Sequence, residues 1–416
     1  MASEKTLNAK NLAALGAERL AELLLELTTG DASAKRRLRL ELASRSGGSD
    51  DALEIRKQLV SIARSRSFVD WRKIRPLAQD LAMQRAAIMN HVAPTKPAEA
   101  FDLLWRLLEM APSIYERCDD SNGLIGNVIR LALAELGVVV EQAALAPPTL
   151  ADLVFQGVSA NDYDQFDDLI ALMSKSLGQE GLKILKARFE ELAAKPPSRP
   201  KHGERRVIAY GSAGPMFEDD LEARNHARTI RSALTEIADA LGDVDGYAAC
   251  FSTEERANPA IAARIAERLL AANRACDAMA ALAIAEDQFR QGGYWPDWQR
   301  VRIDTLEALG RSDDAQGERW VIFERSPNAK YLRAYIKLLP DFDDEDSEIQ
   351  ALDLVAAHPD FNQALGFLID WPAHDRAAKL VLTRQGDLDG NHYELLAPTA
   401  EAPEQRHPFA ATLMLR

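Results

Sequence analysis

The chain has 416 residues, 47% of them hydrophobic and 27% charged, and carries a formal net charge of −14. Its length exceeds one small core and points to two domains or an extended repeat array, and its composition excludes disordered and collagen-like classes. The net acidity opposes non-specific binding of polyanions, because the bulk of such a chain repels them.

The apolar residues are mostly Leu and Ala, which favour helix, and aromatics make up only 6%. In chain order, Asn8 and Asp31 read as caps for helices near 11–28 and 32–45. Helices follow near 50–66 and 70–91, the second with Asp70 as cap and with Pro76 one turn in, where it should bend the helix. Pro97 opens another helix, in which Phe101, Leu104, Trp105 and Leu108 recur at i, i+3, i+4 and i+7. Further helices are expected near 122–145, 149–158, 163–175 and 179–195. The connections are short, which favours antiparallel neighbours stacked in a row. The segment "KPPSRPKHGERR" holds three prolines and no apolar run, so residues 196–206 form the expected linker. "VIAYGSAGP" after it reads as a short extended piece and a turn.

Beyond the linker lies an internal echo. "LLAANRACDA" (269–278) aligns with "LEALGRSDDA" (306–315) at an offset of 37 residues. Asn273 falls where Gly310 falls, and both types tolerate the left-handed turn that ends a helix. The period and the turn residues are those of tetratricopeptide-like helix pairs. The expected fold class is therefore all-α, an α-solenoid of stacked antiparallel helix pairs. It divides into a HEAT-like array over 1–195, the linker, and a tetratricopeptide-like array over 207–416. The final "RHPFAATLMLR" opens an apolar helix with no stop signal, and reads as the start of a portion that continues beyond it.

Chemical signatures are few. No zinc, phosphate-loop or dinucleotide motif is present, the seven histidines include no helical pair at i+3 or i+4, and no cofactor is expected. Cys118, Cys250 and Cys276 match no metal or redox spacing and read as small buried residues in a reducing compartment. The N-terminus lacks the apolar core of a signal peptide, and the most apolar stretch is interrupted by Arg130, Glu135 and Glu141, so a cytoplasmic chain is expected. "YGSAGP" could cradle a phosphate, but Glu218, Asp219 and Asp220 follow it and would repel one. The acidic runs "LPDFDDEDSEIQ" and "DLDGNHYE" lack a glycine at the position a cation loop needs.

Two segments carry residue types suited to recognition. "GGYWPDWQRVR" holds Tyr294, Trp295, Trp298, Arg300 and Arg302, the types enriched at interface hot spots; the tryptophans read first as plugs in the seam between helix pairs, and the five residues are the candidate protein-binding set. "SIARSRSFVDWRKIR" gathers Arg64, Arg66, Arg72, Lys73 and Arg75 around Phe68 and Trp71. Residues 35–75 as a whole hold 12 basic and 5 acidic groups, a local surplus of 7 positive charges in an acidic chain. Val69 and Ile74 stand at staple spacing around Asp70, and Leu53 with Val60 forms a second apolar stripe on the preceding helix. The favoured reading is a packed helix joint in which Phe68, Val69 and Trp71 are core and the arginines form a fringe. The alternative is a nucleic-acid grip.

"RSRSFVDWRK" (64–73), "GDVDGYAA" (242–249) and "LPDFDDEDSE" (339–348) together resemble a bacterial, mainly proteobacterial, family defined as a domain of unknown function. The resemblance spans nearly the whole chain. It implies a mostly helical, tetratricopeptide-like protein whose relatives continue past Arg416, and it brings no catalytic residues. The N-terminal part is also similar to regions of bacterial proteins bearing a SWIM-type zinc finger, whose clustered cysteines and histidine this chain lacks. The expectation is a non-enzymatic scaffold or adaptor with a protein partner, the alternative being an accessory nucleic-acid-binding protein.

Overall fold

A computed structural model describes residues 7–30, 34, 35, 38, 49–195, 200, 205–211, 214–287, 295–340, 343–388 and 407–414. Among these, the chain is helical apart from one two-stranded hairpin and a single bridge. It divides into two compact units, Met1–Cys250 and Phe251–Arg416. The division therefore lies beyond the proline-rich segment, most of which falls outside the described residues.

The first unit begins with α1 (Ala9–Ala13), capped by Asn8, and α2 (Ala17–Leu27). Most of the helix expected at 32–45 falls outside the described residues. Then come α3 (Ser49–Arg64), α4 (Trp71–Ala87) with a π-turn over Ile88–Val92, α5 (Pro97–Glu109) and α6 (Ala111–Tyr115). They are followed by α7 (Leu124–Ala143), α8 (Pro147–Ser159) and α9 (Leu169–Ala193). Helix α3 packs on α4 and α5, α7 on α4 and α5, and α9 on both α7 and α8. Contacts run between helices close in the chain, the neighbour pattern of an α-solenoid. Ile55, Leu59, Leu81, Leu103, Leu104 and Leu107 are at most 1% exposed and form part of the continuous core.

One boundary differs from expectation for a local reason. Helix α9 starts at Leu169 instead of 163 because polar side chains capture the backbone ahead of it. Asn161 Oδ1 accepts from the Phe166 amide (2.7 Å), and Gln165 Nε2 donates to the Ala160 carbonyl (2.8 Å). The two helices expected at 163–175 and 179–195 are both present, broken apart at the non-helical Gly178 (φ 56°, ψ −171°), and α9 names the pair.

Strands β1 (Val207–Gly211) and β2 (Gly214–Phe217) pair antiparallel and feed α10 (Glu218–Leu241). Arg205 closes this hairpin. It pairs with Asp219 (2.9 Å) and Asp220 (2.6 Å), and its guanidinium lies 3.9 Å from the Phe217 ring centroid. Helix α10 packs on α8, α9 and α11 (Val244–Ala249), which assigns it to the first unit. The motif "GDVDGYAA" is structural. Gly242 ends α10 with φ 68°, and Asp243 caps α11 by accepting from the Gly246 amide while pairing with Lys186 of α9 at 3.0 Å; Tyr247 is buried.

The second unit contains α12 (Thr253–Arg256), α13 (Pro259–Ala271), α14 (Ala275–Ile284), α15 (Pro296–Ala308), α16 (Ser312–Arg325) and α17 (Ala329–Ile336). It ends with α18 (Asp343–Ala356), α19 (Phe361–Asp370), α20 (His374–Thr383) and α21 (Pro408–Met414). The echo is reproduced atom by atom. Asn273 and Gly310 both have positive φ (59° and 71°). Arg274 N–H donates to the Leu269 carbonyl (2.8 Å) as Arg311 N–H does to that of Leu306 (2.9 Å). The guanidiniums of Arg274 and Arg311 each meet the aspartate three residues on at 2.7 Å, while Ala278 and Ala315 are fully buried. The same backbone bond ends α19, where Ala373 N–H donates to the Leu368 carbonyl (2.8 Å). Pro372 and Ala373 hide that copy from a sequence comparison.

Candidate functional site

The protein-binding set divides once packing is seen. Tyr294 lies outside the described residues. Trp298 is a core residue, not a surface anchor. It is 2% exposed, and its indole Nε1–H donates to the Leu282 carbonyl at 3.3 Å. Period 3.6 places it on the same face of α15 as Val301 and Thr305, which are buried too. Arg302 serves that core. Its guanidinium lies 5.3 Å from the Trp298 ring centroid and pairs with Glu318 of α16 at 2.7 Å. Arg300 is half-exposed but engaged, by Glu267 (3.0 Å), Asp297 and Asp304 (both 3.5 Å).

Trp295 and Arg300 nevertheless line an open cleft of about 470 Å³ where the starts of α15 and α17 meet the end of α16. Asp297, Arg325, Lys330 and Tyr331 line it with them. Arg325 and Lys330 are exposed, and neither makes an ion pair with any described residue. No sequence signal marks either one. They come together because Pro327 and the Asn328 cap turn the chain between α16 and α17.

The second segment is the turn between α3 and α4, and the expected joint is only partly there. Val69 and Ile74 do pack, and the Asp70 carboxylate caps α4 by accepting from the Arg72 amide at 3.0 Å. Phe68 and Trp71 do not pack, being 72% and 68% exposed. Leu53 and Val60 are exposed as well, so α3 buries one apolar stripe and not two. Arg64, Arg66, Arg72, Lys73 and Arg75 are all exposed, and none makes an ion pair with a described residue. What anchors the turn is Arg117, which sequence reasoning passed over. It is buried, and donates to the Ile62 carbonyl (3.2 Å) and to Ser65 Oγ (3.4 Å).

Perturbed acids sit in structural surroundings. Burial raises the Glu135 carboxyl on α7, whose partner is Arg85 of α4. Burial also raises Glu236 and Asp304, and the thiols of Cys118 and Cys250. The cysteines are less buried than expected, Cys118 and Cys250 partly and Cys276 not at all. Among the described residues, no group of three or more His, Cys, Asp or Glu is placed to hold a metal ion, and no helix is long and apolar enough to cross a membrane.

The model of a family of unknown function, DUF6880, matches residues 2–416. No curated protein matches the sequence. Among solved structures, the chain is similar to a circular tandem repeat protein with novel repeat topology and enhanced subunit contact surfaces. The two share 13% identity with a TM-score of 0.24, over 97% of this chain and 90% of that one. The fold described above rests on its own packing and not on this likeness.

Proposed function

Since the chain belongs to this family of unknown function, its role has to be read from its own surfaces, and we propose that it is a non-enzymatic scaffold whose C-terminal array binds a protein partner. Stacked helix pairs offer long surfaces suited to extended or helical segments. The observation that carries this reading is the cleft with Arg325 and Lys330. Residues 196–416 hold 37 acidic and 25 basic groups, so most cations there find carboxylates close by. Two that make no ion pair with a described residue, beside Trp295 and Tyr331, are placed for carboxylates from elsewhere. The partner segment is thus acidic with an apolar or aromatic anchor, and the cytoplasm is the compartment that suits it.

The test is a peptide array of acidic, neutral and basic sequences, probed with the full chain and with an R325E/K330E variant. Acidic peptides should be retained and should lose about tenfold or more in affinity with the variant, each charge pair contributing about 1 kcal/mol. Equal retention by both chains, or no preference for acidic peptides, refutes the reading.

A further inference from the structure

We propose that the turn between α3 and α4 is a docking site for single-stranded nucleic acid, separate from the cleft in the second unit and independent of what binds there. The turn is built to hold its shape. The Val69 amide donates to the Arg117 carbonyl at 2.8 Å, Val69 bridges Cys118 in parallel, and Arg117 ties the end of α3 to the same point. A turn held this firmly keeps its two largest aromatic side chains in solvent, which costs apolar burial and offers nothing to the fold.

The surrounding charges point the same way. Five cations stand within residues 64–75 against one carboxylate, Asp70, which the α4 amide already occupies. Across the bridge, Asp119 accepts from the Ser121 amide, and Asp120 accepts from those of Ile125 and Gly126. Glu116 and Asp119 are the exposed acids of that segment. The Arg72 guanidinium lies 5.1 Å from the Trp71 ring centroid, so a flat cation and a flat ring are presented together. On α3, Lys57 stands in register with Arg64 on the exposed stripe but is paired with Glu54 at 3.9 Å, so the free positive charge is that of residues 64–75.

This combination fits one ligand chemistry. Phosphates at strand spacing meet the arginines, and unpaired base faces stack on Phe68 and Trp71. A duplex hides its base faces and leaves the rings idle. An anionic bilayer is a plane, and would bring much of a chain of net charge −14 against it. A flexible strand needs to touch only the turn.

The experiment is fluorescence anisotropy of a labelled oligothymidine of about 20 nucleotides with the full chain. Engaging five phosphates gives a log–log salt slope of about −3.5, or a loss of about a hundredfold between about 50 and 200 mM salt. An F68A/W71A variant should weaken binding about tenfold or more with the slope unchanged. An R64E/R66E/R72E variant should abolish binding while circular dichroism stays that of the parent. The proposal is overturned by absence of binding at low salt, by binding indifferent to the ring substitutions, by preference for the matching duplex, or by stronger capture on phosphatidylserine vesicles.

Discussion

Replacing Trp298 by Ala separates a core residue from a surface anchor. The side chain is 2% exposed, so the substitution removes a whole buried indole and leaves a cavity between α14, α15 and α16. Such truncations cost about 3–5 kcal/mol. The Leu282 carbonyl keeps a donor, the Ala285 amide at 3.1 Å, so no buried acceptor is orphaned and the cost is one of volume and apolar contact. For a unit the size of Phe251–Arg416, each kcal/mol moves the midpoint by about 2–4 °C, so a drop of about 8–16 °C is expected for a cost of about 4 kcal/mol. W298F, which keeps most of the ring volume, should fall by a few degrees. The control is W71A, at 68% exposure, which should stay within about 2 °C of the parent. Thermal unfolding followed by far-ultraviolet circular dichroism reads all three. A W298A chain that melts with the parent would refute the packing argument and return Trp298 to the surface.

Other expectations follow from single positions. Gly178 sits at φ 56°, ψ −171°, a region nearly closed to other residues, with no atom within 4 Å of where a Cβ would stand. G178A should therefore cost about 1–3 kcal/mol from backbone strain alone, read by urea denaturation. Burial, with Asp168 and Asp167 adding to it, raises the Glu236 carboxyl, partly offset by the Ser232 hydroxyl. The folded state then holds its proton longer than the unfolded chain, so stability falls as pH rises from the ordinary Glu range through the raised value. E236Q should stabilise at neutral pH and lose that advantage near about pH 4. The Gly246 amide, followed by Lys186, lowers Asp243, which therefore stabilises the fold above the ordinary Asp range and ceases to as pH falls through its depressed value. D243A should cost about 1 kcal/mol at neutral pH, with a smaller gap from the parent in acid.

Legibility followed the locality of the forces. The echo at 269 and 306 was readable because a left-handed residue and an i, i+3 ion pair are fixed by neighbours in sequence. Its third appearance, at 368, was not, because the backbone bond survives there while Pro372 and Ala373 replace the residues that signal it. The start of α9 was misplaced because apolar spacing says nothing about Asn161 and Gln165 taking the backbone first. Burial of aromatics followed the packing reading at Trp298 and was read backwards at Phe68 and Trp71. Trp298 on a regular stripe went inside, while Phe68 and Trp71, beside Val69 in a turn, stayed out. Whether an aromatic is covered depends on which helix lies over it, and here α14 and α16 flank α15 in a way no local pattern records.

Charge pairing explains why composition alone does not say which cations at the two surfaces stay free of ion pairs. Arg300 and Arg325 are the same residue type in the same acidic half, and only their neighbours differ. Arg300 has Asp297 and Asp304 at i−3 and i+4 on its own helix and Glu267 across from it, so its charge is spent within the fold. Arg325 closes α16 and makes no ion pair with a described residue, while Glu324 beside it accepts from the Trp320 indole at 2.7 Å. At the turn 64–75 in the other unit, Asp70, Asp119 and Asp120 accept from backbone amides and the arginines make no ion pair with a described residue. In a chain with 64 acidic and 50 basic groups, a cation stays unpaired when the nearby acids are already committed, and that commitment is a property of the folded backbone. The uncommitted cations, and not the basic residues as such, are where an anionic partner gains the most.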